Sequence, residues 1–271
     1  MLFNRILTVV VIVPVLIATL LSPWTWIFRL LVTSCLVTAL WEFFSIAGLV
    51  KRERVFSVGL GLFHVLYLLF CPAFYPFGGR PIFWESILLL MILFLFYSFV
   101  SRTGVEKSAE RIGLTLFGII WIGTAGSFIA RIRELPDGLF WIFALLTMTW
   151  LNDTAAYFVG HRWGRRRLAP RLSPGKTVEG FLGGFIGSLA GLVFCRAVFD
   201  NPLSVSQGLL LVLLVGIFGP LGDLSESLIK RSFGVKDSGN IIPGHGGMLD
   251  RIDALLFTAP VVYYFAYTFA S

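Results

Sequence analysis

The sequence has few charged residues and few cysteines. Only 14% of its 271 residues are charged, whereas 57% are hydrophobic and the mean hydropathy is +0.86. This composition excludes a disordered chain and an ordinary cytosolic enzyme. The three cysteines, Cys35, Cys71 and Cys195, lie in or beside apolar stretches without a Cys-x-x-Cys pair. They therefore predict neither a disulfide framework nor a zinc site.

The chain also lacks a continuous basic face of the kind that binds nucleic acid. Its formal net charge is +7, with an isoelectric point near 9.6. The basic residues nevertheless lie in short connectors between apolar runs, which suits the surface of a membrane better than a nucleic acid. We expect membrane lipids as partners and no nucleic acid.

Long apolar runs fill most of the chain. Runs of about 18 residues are long enough to cross the hydrocarbon layer as helices. The sequence predicts an all-α integral membrane protein with about nine transmembrane helices and no separate soluble domain. We expect the first segment to be retained, since no small-x-small cleavage site follows it before Pro23. The predicted segments are 5–22, 25–43, 55–71, 82–100, 112–130, 138–159, 178–199, 206–228 and 252–270.

Lysine and arginine alternate between the connectors in a way that predicts orientation. Most of the 22 basic residues fall at the N-terminus or in every second connector, and such loops stay in the cytoplasm. This places the N-terminus in the cytoplasm and the C-terminus outside. The exceptions are Arg29, Arg80, Arg131, Arg133 and Arg196.

Polar residues divide the chain into two regions. The apolar segments of residues 1–130 carry few charged residues, and we expect these transmembrane helices to serve packing and a lipid or dimer surface. Glu42 is isolated there, and we expect it to be structural, with little effect on chemistry. Residues 131–271 form the predicted catalytic region, with its active site facing the cytoplasm. Its seventh segment carries a ridge for close helix packing, formed by Gly180, Gly183, Gly184, Gly187 and Gly191.

Most intramembrane acids lie in this second region. A carboxylate at the bilayer centre costs at least about 2.5 kcal/mol, so it must face a wet cavity or a partner. Asp223, Glu226 and Lys230 share one helix face by their spacing, and Asp250 and Asp253 share another. These faces can meet at the cytoplasmic rim. Paired acids without soft ligands suit Mg²⁺, which also takes water and substrate phosphate.

Two loops predict phosphate binding. The segment PGHGG can turn backbone amides toward an anion, through Gly246 and Gly247, although His245 could equally order the loop by hydrogen bonds. Basic residues flank this segment, namely Lys230, Arg231, Lys236 and Arg251.

The second loop, RLSPGKTVEG, resembles a Walker A loop but has Pro170 where glycine is required. Ser173, Lys176 and Thr177 still precede a predicted helix, a position suited to anions. A polyphosphate, a divalent metal and a membrane rim together favour a reaction between a nucleotide or diphosphate and a lipid.

Two segments resemble a known family. Residues 227–253, SLIKRSFGVKDSGNIIPGHGGMLDRID, are similar to the signature of the phosphatidate cytidylyltransferases in their S-x-x-K-R, K-D, H-G-G and D-R-x-D elements. Residues 152–184, NDTAAYFVGHRWGRRRLAPRLSPGKTVEGFLGG, also resemble that family. The resemblance covers the C-terminal half; the N-terminal half matches only in being hydrophobic.

The resemblance implies the transfer of CMP from CTP to phosphatidic acid, giving CDP-diacylglycerol and pyrophosphate in phospholipid biosynthesis. It implies a homodimer in the inner (plasma) membrane, with a cytoplasmic active site that requires Mg²⁺ and has a place for K⁺ as a second cation. The metal-binding aspartates would be Asp223 and Asp250.

Other roles follow from this reaction. Lys230, Arg231, Lys236 and Arg251 would neutralise phosphate charge, while Ser173, Lys176 and Thr177 would hold a phosphate. A supporting set would bind a second cation, orient the basic residues or order the loop; it comprises Asp153, Glu179, Glu226, Asp237, Asp253 and His245.

Two alternatives remain open at this point. A CTP-dependent lipid-alcohol kinase would transfer the γ-phosphoryl group and release CDP. A cation-coupled transporter would use the same acids as an ion path, although the basic loops and the lack of internal repeats argue against it.

Overall fold

The computed structural model describes residues 2–70, 83–100, 106–200, 203–242 and 246–269. Within these ranges the chain is nearly all helical, because its long apolar runs contain few residues that interrupt a helix. The helices are α1 (Leu2–Leu21), α2 (Thr25–Ile46), α3 (Lys51–Phe70), α4 (Phe83–Val100), α5 (Ser108–Gly118), α6 (Ala125–Ile132), α7 (Gly138–Trp163), α8 (Val178–Val198), α9 (Val205–Ser232) and α10 (Leu249–Phe269).

A helix overlaps each of the nine predicted segments. The fifth segment is made of three consecutive pieces, because a π-helical stretch at Ile119–Thr124 joins α5 to α6. Within the described part of the chain, seven helical stretches are long and apolar enough to cross a membrane. Apolar side chains such as Ile186, Val193 and Leu209 are more than half exposed. This surface is typical of a multi-pass membrane protein.

The prediction of a purely α-helical chain misses one short hairpin. Strands β1 (Arg167–Ala169) and β2 (Ser173–Thr177) pair antiparallel between α7 and α8, with Arg167 opposite Thr177. Leu172 closes the turn by donating its N–H to the Ala169 carbonyl at 3.1 Å. The hairpin carries the RLSPGKT segment, so this loop has a defined backbone rather than a free one.

Glycines let α7 and α8 approach closely, as the predicted ridge requires. All five ridge glycines are buried, and α8 packs more extensively against α7 than against other elements. A Cβ atom on Gly180 would lie 2.6 Å from the Ala156 carbonyl oxygen, and one on Gly191 would lie 2.8 Å from the Met148 Cα. These neighbours are backbone atoms, so they cannot turn aside.

The remaining helices surround α10 and α2. α10 packs against α9, α6 and α7, while α2 packs against α3 and α6. Fully buried side chains such as Phe43, Trp141 and Leu256 belong to one continuous core. The candidate site residues of α7, α8, α9 and α10 thereby lie on helices that pack against one another.

The glycine ridge gives a first prediction. Gly191→Ala should lower the stability of the folded protein by about 1–3 kcal/mol, because the new methyl group meets backbone atoms of α7. The measurement is thermal unfolding of detergent-purified protein. Gly113→Ala is the matched control, since Gly113 is also helical but its Cβ would meet nothing within 4 Å. Equal melting temperatures for the two variants would contradict the packing role.

Candidate active site

A cavity of about 760 Å³ opens where α7, α8, α9, α10 and the β1–β2 hairpin meet. This volume falls within the usual range for small-molecule sites. Eight predicted site residues line it, so the structure brings together segments more than 70 residues apart. They are Asp153, Ser173, Lys176, Thr177, Asp223, Asp250, Arg251 and Asp253.

Lys176 and Asp223 form an ion pair across the cavity. Lys176 Nζ lies 2.6 Å from Asp223 Oδ2, and both side chains are partly exposed to the cavity. Ser227 Oγ lies 3.4 Å from Asp223 Oδ1, one turn along α9. The hairpin thus places the ammonium group of Lys176 beside the carboxylate of Asp223 on α9, although the two residues are far apart in sequence.

A second charged group links α9 to α10. Lys230 Nζ donates to Glu226 Oε2 at 2.6 Å and to Asp250 Oδ1 at 2.7 Å. All three side chains are largely buried, Glu226 most completely. Two acids therefore share one lysine, as the predicted common face of Asp223, Glu226 and Lys230 allows.

Backbone groups hold Asp250 from the other side. Asp250 Oδ2 accepts hydrogen bonds from the N–H groups of Gly247 at 3.0 Å and Ser238 at 3.2 Å. Gly246 has a left-handed backbone with φ of +82°, which favours glycine, and pairs with Ile242. The amide of Gly247 is thus directed at Asp250. His245 lies outside the described residues.

Asp153 and Asp253 complete the acidic wall. Both line the cavity, and their charges interact with that of Asp223. α9 and α10 cross closely beside them, since a Cβ on Gly222 would lie 2.6 Å from the Asp253 carbonyl oxygen. The three carboxylates therefore concentrate negative charge on one wall of the cavity.

Two predicted residues fix the hairpin. Thr177 caps α8, because its Oγ1 accepts the Gly180 N–H at 3.1 Å. Glu179 accepts the N–H groups of Arg165 at 2.9 Å and Arg166 at 3.1 Å. These bonds set the position of Ser173 and Lys176 over the cavity.

Three predicted residues are exposed and lie outside the cavity lining. Arg231 lies in the last turn of α9, and Lys236 and Asp237 lie on the loop between α9 and α10. Arg231 Nη1 donates to the Val235 carbonyl at 3.3 Å, which orders this loop. The structure thus brings Lys230 to the acids but leaves its basic neighbours at the surface.

The cavity also contains residues that the sequence analysis did not assign. Arg167 lines it from β1, although the sequence suggested only that the arginines of this connector set the membrane orientation. Tyr157 and His161 line it from α7, with their rings stacked at 6.0 Å. Their i+4 and i+8 spacing from Asp153 was the available signal. His161 is therefore a histidine of the cavity that the sequence analysis did not indicate.

Glu42 is the second residue that the sequence analysis undervalued. It is only 2% exposed and contacts the loop between α9 and α10. Its oxygens accept the N–H groups of Met248 and Leu249, and a hydroxyl bond from Ser238. Its structural role is confirmed, but it is not isolated: the region 1–130 reaches the border of the site.

The donor set of the cavity agrees with a hard divalent cation. Asp223 and Asp250 offer carboxylate oxygens, and Mg²⁺ commonly takes one or two of these plus substrate phosphate. Among the described residues, no group of three or more His, Cys, Asp or Glu side chains is arranged as a metal site. These carboxylate oxygens are hard ligands, whereas a zinc site usually takes histidine or cysteine ligands.

Comparison with known proteins agrees with this geometry. The model of the Cytidylyltransferase family matches residues 3–269. A phosphatidate cytidylyltransferase of Bacillus subtilis is 36% identical over 222 residues, 82% of each chain. One of Thermotoga maritima is 36% identical over 242 residues, 86% of this chain and 85% of the relative. One of Staphylococcus haemolyticus is 38% identical over 178 residues, 66% and 67%.

The match extends well beyond the two segments noted in the sequence. It includes the apolar N-terminal helices as well as the cavity-lining residues of α7, α8, α9 and α10. The chain belongs to the cytidylyltransferase family.

Proposed function

We propose that this protein is a phosphatidate cytidylyltransferase, which transfers CMP from CTP to phosphatidic acid and releases pyrophosphate. The observation that carries the proposal is the cavity at the helix ends, which Lys176, Arg167 and Arg251 line together with the carboxylates of Asp223 and Asp250. Such a mixed lining suits a metal-bound nucleotide. The relatives from Bacillus subtilis and Thermotoga maritima are named phosphatidate cytidylyltransferase, and their similarity covers most of this chain.

The reaction needs charge neutralisation more than a strong base. A phosphate oxygen of phosphatidic acid attacks the α-phosphorus of CTP, a new P–O bond forms, and the bond to the β-phosphate breaks. The nucleophile is already anionic near neutral pH, so no proton must be removed from it. The main obstacle is repulsion between two anions. Lys176, Arg167 and Arg251 would reduce this repulsion from the cavity wall.

We assign Asp223 and Asp250 as the residues that would hold Mg²⁺. When bound, Mg²⁺ would neutralise charge on the phosphate oxygens. Lys176 would exchange its pairing with Asp223 for a substrate phosphate. Lys230 would remain between Glu226 and Asp250 and fix the direction of the Asp250 carboxylate. A second cation such as K⁺ would have Asp153 and Asp253 as neighbours.

The membrane arrangement follows from the same proposal. We place nine spans across the inner (plasma) membrane, with the N-terminus and the cavity on the cytoplasmic side and the C-terminus outside. The basic connectors support this orientation. CTP would enter from the cytoplasm, while phosphatidic acid would arrive from the bilayer. We also propose that two copies of the chain form a homodimer.

Labelled CTP tests the reaction itself. Purified protein is incubated with phosphatidic acid, Mg²⁺ and CTP labelled in parallel at the α- or γ-phosphate. We expect α label in the lipid phase and γ label in released pyrophosphate. Transfer of γ label to a lipid alcohol would instead establish the kinase. Ion flux in liposomes without nucleotide turnover would favour the transporter.

Removal of the two candidate metal ligands tests the assignment of the acids. Asp223→Asn and Asp250→Asn should each lower turnover by about 100-fold or more, because charge at the phosphates is no longer balanced. The rates are measured at saturating Mg²⁺, and folding is checked by size-exclusion chromatography. Asp200→Asn is the control, since Asp200 is an exposed acid just after the far end of α8. A near wild-type rate in either test variant would refute the assignment.

Arg167 offers a test of nucleotide binding. Arg167→Ala should raise the KM for CTP about tenfold or more, since a charge-assisted contact to phosphate is lost. A smaller effect on kcat would indicate lost ground-state binding. Arg171→Ala is the matched control from the same hairpin, because Arg171 is exposed and absent from the cavity lining. Equal changes in the two variants would point to general surface charge.

A further inference from the structure

We infer that Glu42, on α2, is a positioning residue for Asp250, and that it acts through the loop between α9 and α10. This inference rests on the proposed role of Asp250 in the cavity. It extends the site to the N-terminal region, whose helices otherwise supply packing. It also changes the sequence-based expectation that Glu42 has little effect on chemistry.

The carboxylates of Glu42 and Asp250 accept hydrogen bonds from the same two places, one at Ser238 and one at residues 247–249. At the first, Ser238 donates its Oγ hydroxyl to Glu42 Oε2 at 3.3 Å and its backbone N–H to Asp250. At the second, Gly247 donates its N–H to Asp250, while the next two N–H groups, of Met248 and Leu249, go to Glu42 at 3.0 and 2.9 Å. A shift of the loop away from Glu42 would therefore withdraw the donors of Asp250.

Close packing leaves the Glu42 carboxylate little freedom. A Cβ on Gly239 would lie 2.6 Å from Glu42 Oε1, and one on Gly247 would lie 2.7 Å from Glu42 Oε2. The neighbours Phe43 and Phe44 on α2 are fully buried in the core. The carboxylate is thus held by a buried helix and surrounded by residues 238–239 and 247–249.

The negative charge of Glu42 has a physical reason to be there. Leu249 is the first residue of α10, and the leading N–H groups of a helix have no acceptor within the helix. A carboxylate satisfies them and interacts favourably with the helix dipole. Asp250 lies in this same first turn, so fixing the start of α10 also fixes the direction of Asp250.

A glutamine cannot replace this carboxylate. Its side chain offers one acceptor oxygen and one NH₂ donor group. Whichever way the amide is turned, a donor would face either the Met248 N–H or the donors of Leu249 and Ser238. Glu42→Gln therefore removes some of the hydrogen bonds that Glu42 accepts, with almost no change in side-chain volume.

The first measurement is hydrogen exchange of the full-length protein in detergent, without nucleotide or added metal. In Glu42→Gln, the amides of Met248 and Leu249 should exchange about tenfold faster, as expected for the loss of a hydrogen bond to a charged group. Ser238→Ala removes only the hydrogen bond from the Ser238 hydroxyl to Glu42, and should therefore raise the exchange rates of the same amides by less. It also keeps the test decisive should Glu42→Gln not fold.

The second measurement is the dependence of turnover on Mg²⁺, CTP and phosphatidic acid. Glu42→Gln should lower kcat and raise the Mg²⁺ concentration for half-maximal rate by about 10- to 100-fold in combination, the range for residues that orient a metal ligand. The KM for phosphatidic acid should change little. A purely structural role would lower the amount of folded protein without shifting the Mg²⁺ response.

Glu53→Gln is the matched control. Glu53 is an equally buried carboxylate, on α3, and its Oε1 pairs with Arg111 at 2.8 Å rather than with the loop. The Glu53→Gln variant should be less stable, but the Met248 amide should not exchange faster and the Mg²⁺ dependence of turnover should not shift. An equal shift in Glu53→Gln, or faster exchange in Glu42→Gln with unchanged kinetics, would overturn the positioning role. A wild-type rate in Asp250→Asn would instead refute the proposed role of Asp250, whatever the exchange shows, and absence of α label in the lipid would refute the proposed function.

Discussion

The structure depends on compensating negative charge among closely packed membrane helices. Lys230 is the centre of this compensation, because one ammonium group serves Glu226 on its own helix and Asp250 on α10. Removing one partner of a buried ion pair typically costs about 3–5 kcal/mol, since it leaves the other charge uncompensated. The pairing therefore fixes α9 against α10 before any substrate binds. It also determines which acids remain directed at the cavity.

Close helix contact is the second constraint, and it acts through residues without side chains. The glycines of α8 bring the α7 backbone near enough for Thr177 and Glu179 to anchor the hairpin on both helices. Lys176 can then reach Asp223 on α9. A bulkier ridge would move α8 away from α7 and separate the hairpin from the acids. The packing of α7 against α8 therefore determines where the charged groups at the end of the bundle lie.

The sequence predicted most of the helical architecture and the acid faces, because both depend on local periodicity. The i, i+3 and i+7 spacing of Asp223, Glu226 and Lys230 is preserved in any helix, so their common face needed no tertiary information. The hairpin was missed because three- and five-residue strands have no periodicity long enough to detect. The exposed positions of Lys236 and Asp237 could also not be predicted from the sequence, since the path of a loop is set by its tertiary contacts.

Glu42 shows why the rest of the site could not be read from the sequence. A single acid in an apolar helix has no local pattern, and its partners follow about 200 residues later. Only the packing of α2 beside the start of α10 gives its carboxylate a role. Its contacts join the two regions of the chain at the border of the site. A membrane-embedded site that must orient an acid needs a second rigid element behind the loop, and α2 supplies it.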